Sequence, residues 1–213
     1  MSIQLQQTIY ILLGTILVGV MASLIRGYTV RSFARVSGGL ARCIDTKLTF
    51  IGVIHHEASH ALLAFLSGAK VRKVKLFSFS TASGNLGEVI YSPRGPWLLK
   101  RLQDSLAGLA PIICGSITLA IIYNYLILGN TFRDSHLWVG VLLVMQISYH
   151  MSLSKSDIKA SIVGIPVLFV VIYILTNVLT IDTITIVNYY KLVVGVLGIN
   201  FIIALLVRLI SKR

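Results

Sequence analysis

The chain reads as an all-α polytopic membrane protein of about six transmembrane helices, with one small membrane-associated β-hairpin. Three observations predict this. Of its 213 residues, 56% are hydrophobic and only 12% charged, with a mean hydropathy of +0.87, whereas ordinary soluble domains carry about 25% charged residues. Uncharged runs recur that are long enough to cross a hydrocarbon core, which takes about 20 helical residues. Basic residues gather at the ends of these runs, as with Lys70, Arg72, Lys73 and Lys75, where positive flanks orient helices and meet anionic headgroups. The net charge of +12 therefore predicts a lipid bilayer as partner and no nucleic acid. Cys43 and Cys114 lie far apart, the second within an apolar run, so no disulfide framework is expected.

The elements follow in order, packed as one domain over residues 1–213. Residues 1–25 form the first apolar run; it lacks a basic leader and reads as an anchor rather than a cleavable signal. Residues 26–47 set Arg26, Arg31, Arg35, Arg42 and Lys47 against Asp45. Two readings stand there: an interfacial helix, or a first span that does not cross fully. A second apolar stretch, 48–69, is interrupted only by charged Glu57 and predicts a helix over about 48–67. Then the period changes. Residues 71–79 are rich in β-branched and aromatic types, Gly84-Asn85-Leu86-Gly87 reads as a turn, and Glu88-Val89-Ile90-Tyr91 returns, which predicts a β-hairpin over about 71–92. An open strand edge cannot face lipid, so it lies at the interface or is shielded by protein. It either captures an extended peptide by strand addition, with Lys75, Phe77 and Val89 as the candidate substrate-binding residues, or merely connects two helices. Further spans are expected at 105–132, 135–154, 160–181 and 187–210, the last requiring Lys191 to snorkel. Trp97 and Trp138 near span ends suit interfacial anchoring. Lys155 and Lys159, with Arg208, Lys212 and Arg213, predict a cytoplasmic C-terminus, and the second helix then runs from outside to inside.

His56-Glu57-Ala58-Ser59-His60 lies in that second helix. Residues four apart share a helical face, so His56 and His60 can offer two imidazoles to one zinc ion. Glu57, one position on, sits beside the metal and is placed to move protons between water and a leaving amine. Three ionisable groups within five residues are costly in a membrane helix and gain it nothing structurally. His55 points about 100° away from His56 and reads as a polar neighbour. A catalytic zinc needs a further protein ligand. Placement of the motif near the cytoplasmic side favours Asp157, in Ser154-Lys155-Ser156-Asp157, within a third-ligand segment of about 152–160. Helix capping is the competing role for Asp157, and Asp104 is the reserve ligand. His150 reads as a hydrogen-bonded structural residue. An aspartate ligand together with Glu57 would offset a charge that a low-dielectric site tolerates poorly.

At these residues the chain resembles the site-2 protease family of intramembrane zinc metalloproteases. The likeness covers most of residues 48–162 and includes HHEASHALLAFLSGAKVRKVKL and the later SLSKSD, which is similar to a form in compact bacterial members. The resemblance implies one zinc ion per chain held by His56, His60 and Asp157, with Glu57 as catalytic base. It also implies a hairpin that guides a transmembrane protein or peptide substrate, and a multi-pass protein of a bacterial cell membrane. Two departures stand out. Ile158 follows Asp157 where the family's third-ligand motif is usually Asp-Gly, and no PDZ or other soluble regulatory domain is visible, so the substrate-selecting apparatus is either missing or supplied by a separate regulatory partner. The expected function is endopeptidase cleavage within the membrane, possible in regulated intramembrane proteolysis. The alternatives are a metal-ion transporter or sensor, which would spread histidines and acids over several helices, and a catalytically inactive relative that binds membrane helices.

Overall fold

The computed structural model describes residues 2–78, 86–128, 131, 133–179 and 182–211. Seven α-helices and one two-stranded sheet are found among them: α1 (Ile3–Val36), α2 (Gly38–Cys43), α3 (Phe50–Leu66), β1 (Lys70–Lys75), β2 (Glu88–Ser92), α4 (Trp97–Ile122), α5 (Ser135–Tyr149), α6 (Lys155–Val178) and α7 (Thr183–Ile210). Single π-helical turns at Ile44–Leu48 and Tyr123–Ile127 lead into α3 and out of α4.

Helices α1, α4, α6 and α7 are long and apolar enough to cross a membrane, and helices of that kind mark a membrane protein. α4 is central: 61% of its apolar window is buried, against 28% for α1, 17% for α6 and 22% for α7, so the outer three turn most of their apolar surface outward. The core they share joins Leu12 and Val18 of α1, Leu109, Ile112 and Leu119 of α4, and Val193 and Leu197 of α7.

The other two expected spans are shorter than anticipated. α3 has 17 residues and α5 has 15, roughly 26 and 22 Å of helix against a hydrocarbon core of about 30 Å. Each stops for a local reason. α3 ends in a Schellman motif: Gly68 adopts φ +86, its N–H donates to Phe65 O, and Ala69 N–H donates to Ala64 O at 2.9 Å. α5 ends at Tyr149, beyond which the chain unwinds until Ser154 caps α6.

Boundaries shift elsewhere too. α1 continues past residue 25 to Val36, with Arg26 inside the helix and paired to Asp45. Residues 26–47 thus divide between the end of α1, the short α2 and a π-turn. α4 starts at Trp97, not at 105, with the Arg101 guanidinium over the Trp97 ring. The strands pair antiparallel, with Val74 opposite Val89, Lys75 opposite Glu88, and a register slip between Val71 and Lys73. Val71 and Tyr91 pack onto Ala64, Ala69 and Ala107, which seats the hairpin against α3 and α4. Phe79 and the Gly84-Asn85 half of the expected turn lie outside the described residues.

Candidate metal centre

Helical spacing on α3 puts the His56 and His60 rings edge to face, with centroids 4.7 Å apart and the two Nε2 atoms 3.1 Å apart. The opposite ring nitrogens are tied to backbone oxygens. His56 Nδ1 meets His150 O at 2.7 Å, and His60 Nδ1 meets Ala107 O at 2.7 Å. A carbonyl only accepts, so each Nδ1 carries its proton, and in the neutral ring Nε2 is left as a bare lone pair. Two bare lone pairs at this distance repel one another unless a cation lies between them.

Asp157 completes the group. Its Oδ1 is 3.7 Å from His60 Nε2, and donor atoms of His56, His60 and Asp157 all lie within 4.8 Å of one another. Donors about 2.0–2.1 Å from a tetrahedral metal stand about 3.3 Å apart, and the two separations at His60 Nε2, 3.1 and 3.7 Å, lie close to that value. Capping and ligation do not compete here. Asp157 Oδ2 accepts from Ser154 N–H at 2.8 Å while Asp157 N–H donates to Ser154 Oγ at 3.2 Å, and Oδ1 remains turned to the histidines. α6 approaches α4 closely enough for this because residue 108 is glycine; a Cβ there would sit 2.6 Å from Asp157 O and 2.5 Å from Ser161 Oγ.

Glu57 shares a cavity of about 430 Å³ with the three ligand candidates, Gly87 and Val89. The start of the return strand lies directly on the Glu57 carboxylate, since a Cβ at Gly87 would come within 2.9 Å of Cδ and 3.0 Å of Oε1. Of the hairpin candidates, the structure brings only Val89 to this cavity. Lys75 stands on β1 opposite Glu88, and the Phe77 ring lies tilted against Phe50, centroids 6.0 Å apart, beside a different cavity. The reason is strand order: β2, not β1, borders the His56, His60 and Asp157 group. Asp104 is engaged by the Tyr91 hydroxyl and is not in the donor group. His55 turns away, its Nε2 3.0 Å from Thr118 Oγ1.

Sequence reasoning missed the two carbonyls. The Ala107 oxygen is available because Pro111, four residues on within α4, has no N–H to donate to it. The His150 oxygen is available because α5 has just ended. Pro111 was the signal for the first. Against known proteins, the chain matches no family model, no curated protein and no solved structure.

Proposed function

We propose that this chain is an intramembrane zinc metalloendopeptidase of the site-2 protease type, cutting a membrane-spanning protein or peptide. The observation that carries the reading is the convergence of two carbonyl-oriented Nε2 atoms and one carboxylate oxygen beside Glu57. His56, His60 and Asp157 would hold the metal. Zinc bound there supplies Lewis-acid polarisation of the scissile carbonyl and activation of water near neutral pH. Glu57 takes the proton from the attacking water and delivers it to the leaving amine. The outer edge of β2, with Val89 facing the cavity, aligns an extended substrate segment through main-chain hydrogen bonds. Substrate helices must unwind locally first, because helical peptide bonds are hydrogen-bonded and shielded.

In this reading α3 and α5 are short spans flanked by the four long ones, giving six crossings. The chain sits in a bacterial cell membrane with its C-terminus cytoplasmic, and a separate partner selects the substrate. The test is Glu57→Gln in purified protein, with zinc measured by mass spectrometry and cleavage of a transmembrane reporter followed on gels. Zinc is expected to remain bound while cleavage stops, because Glu57 handles protons and not the metal. Cleavage by Glu57→Gln at the wild-type rate would remove Glu57 as base, and zinc without any cleavage by the wild type would favour metal transport or an inactive binder.

A further inference from the structure

One irregular segment governs two of the three ligand candidates, and a charged pair holds that segment. Residues 149–154 connect α5 to α6. At one end, His150 O accepts the Nδ1 proton of His56. At the other, Ser154 N–H binds Asp157 Oδ2 and sets where Oδ1 points. Tyr149 closes α5, and His150 and Met151 N–H still donate to Ile147 O at 3.0 Å and Ser148 O at 3.3 Å; beyond them the helical ladder stops, and the segment takes its position from contacts to other elements.

Those contacts centre on Arg26 and Asp45. The Arg26 fork donates from Nε to Asp45 Oδ1 at 3.1 Å and from Nη2 to Asp45 Oδ2 at 3.3 Å, and Nη1 donates to Ser152 Oγ at 3.1 Å. Tyr149 Oη donates to Asp45 Oδ1 at 2.9 Å, and the guanidinium lies 5.6 Å from the Tyr149 ring centroid. The pair therefore grips the segment on both sides of His150. Two further bonds act in the same sense: Leu153 N–H donates to Ser23 Oγ at 3.0 Å, and His150 Nε2 meets Thr49 Oγ1 at 2.8 Å. A cavity of about 280 Å³ brings Arg26 and Asp45 to its wall together with His56, Glu57 and His150.

A membrane protein has cheaper ways to join two helices than a charged pair whose side chains are only 31% and 27% exposed. Its geometry serves orientation. The planar fork fixes direction as well as distance, and its third arm goes to the segment whose His150 carbonyl accepts from His56.

We infer that Arg26 and Asp45 are positioning residues for the metal centre: they fix the 149–154 segment so that His56 and Asp157 stand at metal-binding separation. The inference rests on the metal-centre reading. Residues that orient metal ligands from outside the coordination sphere typically change affinity about 10–100-fold when removed.

The test uses the full-length protein in detergent and the neutral double variant Arg26→Gln/Asp45→Asn, which leaves no buried charge unpaired. Zinc affinity is read by competition with a chelator, and ligand geometry by the visible absorption of the Co²⁺-substituted protein. The expected result is apo-protein melting close to wild type, zinc affinity about 10-fold weaker and an altered Co²⁺ spectrum. A folded double variant with wild-type affinity and spectrum would overturn the inference and leave the pair as a helix clamp. Should the double variant not fold, Tyr149→Phe and Ser152→Ala each remove one grip on the segment and are judged by the same readouts. Wild-type protein that binds no zinc would instead sink the metal-centre reading and this inference with it.

Discussion

Asp157 has two oxygens and two tasks, and one substitution separates them. In Asp157→Asn a single carbonyl oxygen replaces the carboxylate pair. The capping box needs an acceptor where Oδ2 receives Ser154 N–H at 2.8 Å. If the amide oxygen takes that place, its NH₂ group faces His60 Nε2, where Oδ1 now stands at 3.7 Å. An NH₂ donor satisfies the bare lone pair there but cannot bind a cation. The magnitudes differ enough to be told apart. A structural zinc site with four protein ligands is worth about 10–16 kcal/mol, about 3 kcal/mol per ligand, and losing one ligand of the three here should cost at least that, roughly 100-fold in affinity. The cap is worth about 1 kcal/mol. Asp157→Asn should therefore weaken zinc by about two orders of magnitude while the apo protein melts like wild type. Asp157→Ala should show the same zinc loss plus a destabilisation of about 1 kcal/mol. Chelator competition and calorimetric melting read the two quantities independently. Wild-type zinc affinity in Asp157→Asn would refute the reasoning, reduce Asp157 to a cap and return attention to Asp104.

Two further outcomes concern the hairpin. Val89→Pro should lower reporter cleavage with zinc content unchanged, because β2 borders the cavity and proline removes a main-chain donor; Lys75→Pro, on the far strand, should cost less, and equal cleavage by both folded variants and wild type would leave the hairpin a connector. Glu88 is held below its ordinary carboxylate range by Lys73, through a hydrogen bond and charge attraction. A depressed folded-state value contributes stability above the unfolded value of about 4.3 and loses it as pH falls through the folded one. Amide exchange in Lys70–Lys75 and Glu88–Ser92, corrected for intrinsic rates, should therefore be flat above about pH 5 and rise in acid. Exchange that does not change down to about pH 3 would remove the pair as a hairpin support.

The two histidines were legible because a four-residue spacing is a property of one helix, needing no knowledge of what packs on it. Asp157 was legible through its Ser-rich cap and its position at a span start. The orienting groups were not, since His150 O and Ala107 O are 94 and 47 residues from the histidines they hold. A carbonyl also leaves no trace in composition. Hydropathy located the apolar runs but misjudged their ends in both directions. It stopped α1 at Arg26, whose charge is cancelled by Asp45, and it carried α5 to 154, past the point where Tyr149 and Ser152 turn to that same pair. Pairing charge with charge across the fold is invisible to a window slid along the chain. The hairpin was visible as a change of period, but which strand bordered the candidate ligands depended on how Val71 and Tyr91 settle on α3 and α4.

Pro111 gives this centre an unusual kind of robustness. By leaving the Ala107 oxygen without its helical partner, it assigns the orientation of His60 to the main chain. His56 is oriented by main chain as well. Every residue type carries that oxygen, so the acceptors at 107 and 150 do not depend on side-chain identity in themselves; the side chains there matter through the backbone path, Ala107 by its burial and His150 by its bond to Thr49. What must persist is a missing proton at 111 and a helix end at 149. The aim of both Nε2 atoms thus depends on where the main chain runs rather than on any one polar side chain.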